Sequence, residues 1–163
     1  MLPRMSIPVV YLDSSTVGAF HEKDDAWQRE PTRELFRLME LGCVRFVASE
    51  VGLFEIVHSL KTPEIVKELF RKTFPLDSLL PFCDEALQLS DHYLGAGILT
   101  ENHFMDARHV AVCSVARIGW LISWNYRHLT QPMRRDAFNA INRLHGYDPV
   151  RIVNPKGYLN EIA

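Results

Sequence analysis

The chain has 163 residues, a formal net charge of −2, and hydrophobic and charged contents of 47% and 23%. This length suits a single domain over residues 1–163, and the small net charge excludes a uniformly basic nucleic-acid binder. No apolar run approaches the roughly 20 residues of a membrane span. The three cysteines, Cys43, Cys83 and Cys113, are odd in number and far apart, which argues against a disulfide framework and predicts a reducing, cytoplasmic setting.

The first half of the chain alternates short apolar runs with polar or amphipathic segments. Residues 7–12 form a run rich in β-branched residues, which is typical of a strand covered on both faces, and Asp13 can cap the following helix. Residues 21–30 are polar and predict a loop or a frayed helix end. The elements predicted next are a helix at 31–41, a strand at 44–48, helices at 49–60 and 63–73, a short strand at 77–80 and a helix at 84–94.

The second half begins with residues 104–118, where small and apolar residues recur at helical spacing and predict a helix that lies close to a sheet. Residues 121–123 predict a strand, and 127–146 are mostly helical, with a new helix entered at Pro132. A last strand is predicted at 150–153, followed by a helical turn that starts at Pro155. Strands separated by helices predict an α/β fold with a parallel sheet wrapped on both sides.

Four polar residues belong to the edge of the sheet where the strands end. Asp13 follows the first strand, and Asn125 lies just beyond the strand at 121–123. Glu55 is about one and a half turns into the helix that leaves the strand at 44–48, and Asp106 opens the helix that returns to the sheet. Because ligands of such sheets bind at the carboxyl ends of the strands, these residues form a candidate site.

The chemistry of these residues suits a metal ion. Carboxylates held close together repel each other, and a cation between them lowers that cost. Oxygen ligands suit Mg²⁺ or Mn²⁺, which can activate a water and neutralise charge on a phosphodiester. Ser14, next to Asp13, can orient a water or a phosphate oxygen.

Each residue also has a purely structural explanation. Asp13 and Asn125 can be helix caps, Glu55 can be a solvated carboxylate, and Asp106 can favour the helix dipole. A second candidate set, His103, His109 and Cys113, invites a zinc interpretation, but it lacks a fourth ligand, and Cys113 suits the core. We therefore favour the acidic site and predict no zinc site.

Four segments resemble PIN domains: VVYLDSS at 9–15, FVASEVGLFEI at 46–56, MDARHVAVCSVARIGWLISWNYRHL at 105–129 and INRLHGYDPVRIVNPKGYL at 141–159. The third segment resembles a subgroup in which Trp-Asn-x-x-His-Leu follows a strand. The resemblance implies a three-layer α/β/α sandwich around a central parallel sheet. It also implies a Mg²⁺- or Mn²⁺-dependent ribonuclease, as in many members, including VapC-type toxins.

The family pattern makes Asp13, Glu55 and Asp106 the three principal acidic positions that hold the metal. Glu50 is a competing carboxylate, but the family spacing between serine and glutamate, here Ser49 to Glu55, favours Glu55. Asn125 departs from the pattern, because many active members have a fourth acidic residue there. An amide can accept a hydrogen bond or hold a water but adds no charge, so a weaker metal site is expected.

The leading hypothesis is therefore a divalent-metal-dependent endoribonuclease. In it, Asn125 and Ser14 orient the water or the scissile phosphate, and basic residues such as Arg127 and Arg134 receive the RNA backbone. Arg108 either meets a phosphate or pairs with a surface acid. One alternative is a catalytically weak or inactive PIN-like module that binds RNA or protein. Another is a toxin held silent by an antitoxin, and self-association as a homodimer is expected because small family members often pair.

Overall fold

The structure is a computed structural model that describes residues 6–163, so the first five residues of the predicted domain lie outside it. The strands are β1 (Val9–Leu12), β2 (Arg45–Val47), β3 (Trp120–Ile122) and β4 (Arg151–Val153). The helices are α1 (Ser14–Ala19), α2 (Ala26–Glu40), α3 (Glu50–His58), α4 (Glu64–Thr73), α5 (Asp84–Gly95), α6 (Phe104–Val115), α7 (Pro132–Leu144) and α8 (Pro155–Ile162). Short 3₁₀ turns lie at Leu76–Ser78 and Glu101–His103, and a π-helical turn lies at Tyr126–Thr130.

The four strands form one parallel sheet in the order β2-β1-β3-β4. Val10 is opposite Phe46 on one side of β1, and Tyr11 is opposite Leu121 on the other. Leu121 is in turn opposite Ile152 of β4. The predicted α/β fold with a central parallel sheet is confirmed.

Successive side chains of each strand point to opposite faces of the sheet. These side chains are apolar on both faces, so helices cover both. Tyr11, Leu121 and Ile152 pack in one buried cluster with residues of α5, α6 and α7. Val10 and Ile122 pack in the other, with residues of α1, α2, α4 and α8. The strands are therefore apolar on both faces, and the three-layer α/β/α arrangement is confirmed.

The strand predicted at 77–80 is wrong. Leu76–Ser78 forms a 3₁₀ turn after Pro75, and only Leu80 reaches strand geometry, as an isolated parallel bridge to Ser49. Its N–H donates to Ala48 O at 3.0 Å, and its carbonyl accepts from the N–H of Glu50 at the same distance. The apolar character of this segment reflects packing under the sheet edge rather than a fifth strand.

Residues 21–30, predicted as a loop or a frayed helix end, form regular helix over their second half, because α2 begins at Ala26. The Asp25 carboxylate caps the helix by accepting from the N–H groups of Trp27 and Gln28 at 3.0 and 3.3 Å. Pro31 lies inside α2 instead of starting it. An N-cap bond upstream of the proline thus adds more than one turn that apolar spacing alone does not predict.

The helix predicted from residue 127 is also divided differently. Tyr126–Thr130 is a π-helical turn capped by the Asn125 side chain, and α7 begins at Pro132, as predicted. No helix in residues 6–163 is both long and apolar enough to cross a membrane.

The connections of the sheet create a crevice at one place on its carboxyl edge. The chain leaves β1 toward β2 on one side, and it leaves β3 toward β4 on the other. The helices that follow these neighbouring strands therefore diverge, and ligands of open α/β sheets bind at such a point. Asp13 and Ser123 come directly after the two strands that flank it.

Candidate functional site

Asp13 lies at the carboxyl end of β1 and is 4% exposed. Its Oδ1 accepts hydrogen bonds from Ser15 Oγ at 2.7 Å and from both N–H and Oγ1 of Thr16 at 3.1 Å. Its Oδ2 accepts from Ser123 Oγ, which lies beyond β3. Burial raises the pKa of this carboxyl, although His109 and the hydrogen bonds oppose the shift. Asp13 therefore caps α1 and ties β1 to β3, with both oxygens hydrogen-bonded within the protein.

Glu55 lies in the second turn of α3 and is half-buried. Its Oε1 accepts from Ser14 Oγ at 3.0 Å and from Nε2 of His109. Burial alone would raise the pKa of Glu55, but His109 and Ser14 outweigh it and lower this pKa. Glu50, the competing carboxylate, is exposed on the same helix and accepts from the N–H of Phe82 at 2.8 Å. The helix thus directs Glu55, and not Glu50, toward Ser14.

His109 is a buried imidazole among the acidic residues. Its Nδ1 is 2.6 Å from Tyr11 Oη, which is 2.7 Å from Ser49 Oγ, and its Nε2 contacts Glu55. Burial by itself lowers the pKa of His109, but Glu55 and the two other predicted acidic residues outweigh it and raise this pKa. The protonated ring can donate from both nitrogens, to Tyr11 and to Glu55. In its protonated form, His109 would therefore place a positive charge among the acidic residues.

Asp106 opens α6 with a side chain that is 16% exposed. Its Oδ1 accepts from Nδ2 of Asn125 at 3.1 Å, and its Oδ2 is 3.1 Å from Nδ1 of His128. The pKa of Asp106 is raised to about 6, chiefly by burial and further by the charges of Asp13 and Glu55, while His109 and the Asn125 hydrogen bond oppose the shift. The three predicted acidic residues therefore share one electrostatic environment.

Asn125 connects two parts of this site through its carboxamide. Its Nδ2 donates to Asp106, while its Oδ1 accepts from the N–H of His128 at 3.1 Å. That second bond caps the π-helical turn Tyr126–Thr130. An aspartate at this position could accept from His128 but could not, when ionised, donate to Asp106. The amide therefore positions both neighbours.

One group of side chains in residues 6–163 brings three possible metal ligands close together, and it consists of His103, Asp106 and His128. One ligand atom from each lies within 4.8 Å of the others, and all three residues are half-buried. The rings of His103 and His128 are 3.8 Å apart between centroids. This group could hold a metal ion. The trio Asp13, Glu55 and Asp106 does not form such a group among the described residues.

The zinc set considered from the sequence does not assemble. His109 is engaged by Tyr11 and Glu55, and the Cys113 thiol donates to Ile118 O at 3.3 Å in the core. Burial raises the pKa of Cys113, which disfavours the thiolate that zinc requires. His103 instead lies near Asp106 and His128.

A cleft of about 840 Å³ opens beside Ser14 and Glu55. Lys23 and Lys61 line it, together with acidic and small polar side chains. It lies between the start of α1, the segment before α2 and the segment between α3 and α4. A ligand in this cleft would reach Glu55 directly.

The arginines proposed from the sequence occupy different environments. Arg127 is exposed within the π-helical turn, and Arg134 is half-buried in the first turn of α7. The guanidinium carbon of Arg108 lies 4.7 Å from the ring centroids of both Phe82 and Phe104. Arg108 therefore makes cation–π contacts in place of the acid pair considered for it.

Sequence reasoning did not assign two histidines to this site, because it did not single out His128 and considered His109 only as a zinc ligand. His128 lies in the Trp-Asn-x-x-His-Leu motif, and its spacing from Asn125 is the signal that could have identified it. His109 lies three residues after Asp106, so both point to one side of α6. A histidine at that spacing on an otherwise apolar face could have been recognised as a partner for the acidic residues.

Comparison with known proteins adds no family assignment. No protein-family model, no curated protein and no solved structure matches the chain. The function of the site is therefore inferred from its own geometry.

Proposed function

We propose that this protein is a divalent-metal-dependent endoribonuclease of the PIN type. The observation that supports the proposal most is the shared electrostatic environment of Asp13, Glu55 and Asp106 at the switch point of a parallel sheet. These side chains come from three separate elements, and the charges of Asp13 and Glu55 oppose the ionisation of Asp106. Such an arrangement is typical of a site that holds a cation and acts on a phosphodiester.

The residues have different relations to a bound Mg²⁺ or Mn²⁺. Glu55 Oε2 accepts no hydrogen bond from residues 6–163, so it fits as a direct oxygen ligand. Asp106 is partly exposed, and its carboxylate would reach the ion by exchanging its contact with Asn125 or His128. Asp13 contributes charge, because both of its oxygens are engaged. When bound, the ion supplies a water of lowered pKa and Lewis acidity at the phosphate.

The other side chains position the reacting groups. Ser14 donates to Glu55 and lines the cleft, where its hydroxyl oxygen can accept a hydrogen bond from a water and orient it. His109 orients Glu55 through the contact of its Nε2 with Oε1, and Asn125 orients Asp106 through a hydrogen bond. An RNA strand in the cleft would meet Lys23 and Lys61, which can neutralise its phosphates.

The test is cleavage of a fluorescent single-stranded RNA by the purified protein with Mn²⁺ and with Mg²⁺. We expect cleavage that EDTA abolishes and that falls at least about 100-fold in Glu55→Gln and Asp106→Asn, a loss typical of a transition-state interaction in such sites. Glu50→Gln is the matched control, because Glu50 lies on the same helix and outside the site. An inactive wild-type protein, or equal activity in Glu55→Gln, would overturn the proposal.

A second candidate function is an RNA-binding module that does not cleave. The observation that favours it is the contact between His109 and Glu55, which gives the acidic site an internal cation. In that case RNA would bind with the same affinity in EDTA as in Mn²⁺, and the Asp106→Asn variant would bind equally well. Metal-dependent binding in an electrophoretic mobility assay would contradict this alternative.

A further inference from the structure

A half-buried group of two imidazoles and one carboxylate includes Asp106 but not Glu55. His103 ends a 3₁₀ turn, Asp106 opens α6 and His128 belongs to the π-helical turn, so three segments converge. Their ligand atoms lie within 4.8 Å of one another, and His128 Nδ1 is 3.1 Å from Asp106 Oδ2. Separations of this size allow one ion to contact all three after small side-chain adjustments.

The two groups of the His128–Asp106 contact are suited to bind metal. His128 offers an imidazole nitrogen and Asp106 a carboxylate oxygen, and these two atoms are already 3.1 Å apart. A neutral imidazole is the form that coordinates metal. The side chains of His128 and Asp106 are each 16% exposed, so water can complete the coordination.

The group also has the supporting contacts that metal ligands require. The Asn125 amide donates to Asp106 and accepts from the N–H of His128, so one side chain orients two of the three ligands. Such outer contacts commonly fix the ligands of protein metal sites. The π-helical turn that carries His128 is a rare conformation that occurs frequently at functional sites.

We propose that His103, Asp106 and His128 bind one divalent transition-metal ion of the series from Mn²⁺ to Zn²⁺. Two nitrogen ligands and one carboxylate favour these ions over Mg²⁺, which prefers oxygen ligands and retains its waters. Three protein ligands leave positions open for water, as in catalytic rather than structural sites. This proposal goes beyond the proposed function, since these three residues can bind the ion whether or not the protein cleaves RNA.

The test is calorimetric titration of the metal-free protein with Zn²⁺, together with the visible absorption of bound Co²⁺. We expect one ion per chain, and an affinity that falls about 10- to 100-fold or more in His103→Ala and His128→Ala. His145→Ala is the matched control, because His145 stacks on His92 with centroids 3.8 Å apart but belongs to no metal-ligand group in the described chain. It should bind Zn²⁺ as the wild type does, and a tenfold excess of Mg²⁺ over protein should not displace the ion.

The same titration can also refute the proposed metal site. Unchanged affinity in His128→Ala, or an equal loss in His145→Ala, would show that the ion is held elsewhere. The melting temperature of each variant shows whether it is folded. His128→Asn is a second variant that removes the same ligand, in case His128→Ala does not fold. Glu55→Gln should lose RNA cleavage and retain Zn²⁺ affinity, and an affinity loss equal to that of His128→Ala would refute the three-residue ligand set. If Glu55→Gln keeps cleaving, the proposed function fails while the metal site stands.

Discussion

At the residue scale, the buried imidazole of His109 explains how the fold accommodates several carboxylates. A carboxylate buried without a partner is costly, and the loss of one partner from a buried charge pair is strongly destabilising. His109 contacts Glu55 directly, and its charge favours the ionised forms of Asp13 and Asp106. A protonated His109 would thus offset part of the negative charge of these carboxylates from within α6.

Asn125 gives a prediction at the same scale. Asn125→Asp and Asn125→Ala both remove the donor to Asp106, and we expect each to lower the free energy of unfolding at pH 8 by about 1–2 kcal/mol, measured in urea. Only Asn125→Asp adds a carboxylate next to Asp106, so only this variant should regain stability when Mn²⁺ is added. Equal responses of the two variants to Mn²⁺ would show that the amide position has no influence on metal binding.

At the scale of single elements, the first turn of α2 supports the site from outside. Trp27 lies in this turn, and its ring centroid is 5.1 Å from that of Trp124, whose indole N–H donates to Thr32 Oγ1 at 2.9 Å. Trp124 in turn directly precedes Asn125. The cap at Asp25 therefore stabilises a helix end that packs against the segment carrying the site.

Removal of the Asp25 cap should destabilise the first turn of α2 measurably. Asp25→Ala leaves two N–H groups without their acceptor, and we expect it to lower the free energy of unfolding by about 1 kcal/mol. The altered contact between Trp27 and Trp124 should also change tryptophan fluorescence. Asp24→Ala is the matched control, since Asp24 is exposed and its carboxylate caps no helix. The same loss in both variants would contradict the capping role.

At the scale of the whole molecule, the site makes stability depend on pH. The pKa of Asp106 is about 6 in the folded protein against 3.8 for a free side chain, so the folded state holds this proton more tightly. The stability contributed by the protonated form is then lost as pH rises from about 4 through 6. His109 acts in the same direction, because its pKa is also raised and its contribution disappears as pH rises through that value.

Asp106→Asn should remove one part of this dependence. We expect the free energy of unfolding of the variant, relative to the wild type, to rise between pH 4 and pH 8 by on the order of 3 kcal/mol, at about 1.4 kcal/mol per pKa unit. The measurement is urea unfolding in EDTA at several pH values. Parallel curves for the two proteins would mean that Asp106 titrates alike in the folded and unfolded chain.

The sequence predicts those features that depend on regular spacing. Apolar β-branched runs identify all four strands, and the alternation of strands and helices predicts the parallel sheet and the two covered faces. Asp13, Glu55, Asp106 and Asn125 could be assigned to one edge because the carboxyl ends of parallel strands meet there. The error at 77–80 arises because a short apolar segment can pack under a sheet edge without pairing.

Features that depend on side-chain direction could not be predicted in this way. The contact of Glu55 with His109 joins residues 54 positions apart, and it requires the rotation of α3 relative to α6. The approach of His103 to His128 depends on a π-helical turn, for which there is no simple sequence pattern. Helix spacing places His109 near Asp106, but only packing shows that its ring reaches Glu55.

The hydrogen bond from Ser123 to Asp13 has a consequence for the order of events during synthesis. It joins residues 110 positions apart, across neighbouring strands that are distant in the chain. Closing so long a loop carries a large entropic cost, and contacts of high sequence separation form slowly. A nascent chain that ends before β3 lacks Ser123, Asn125 and His128 altogether. We therefore expect the site to become complete during synthesis only after the segment through His128 has left the ribosome.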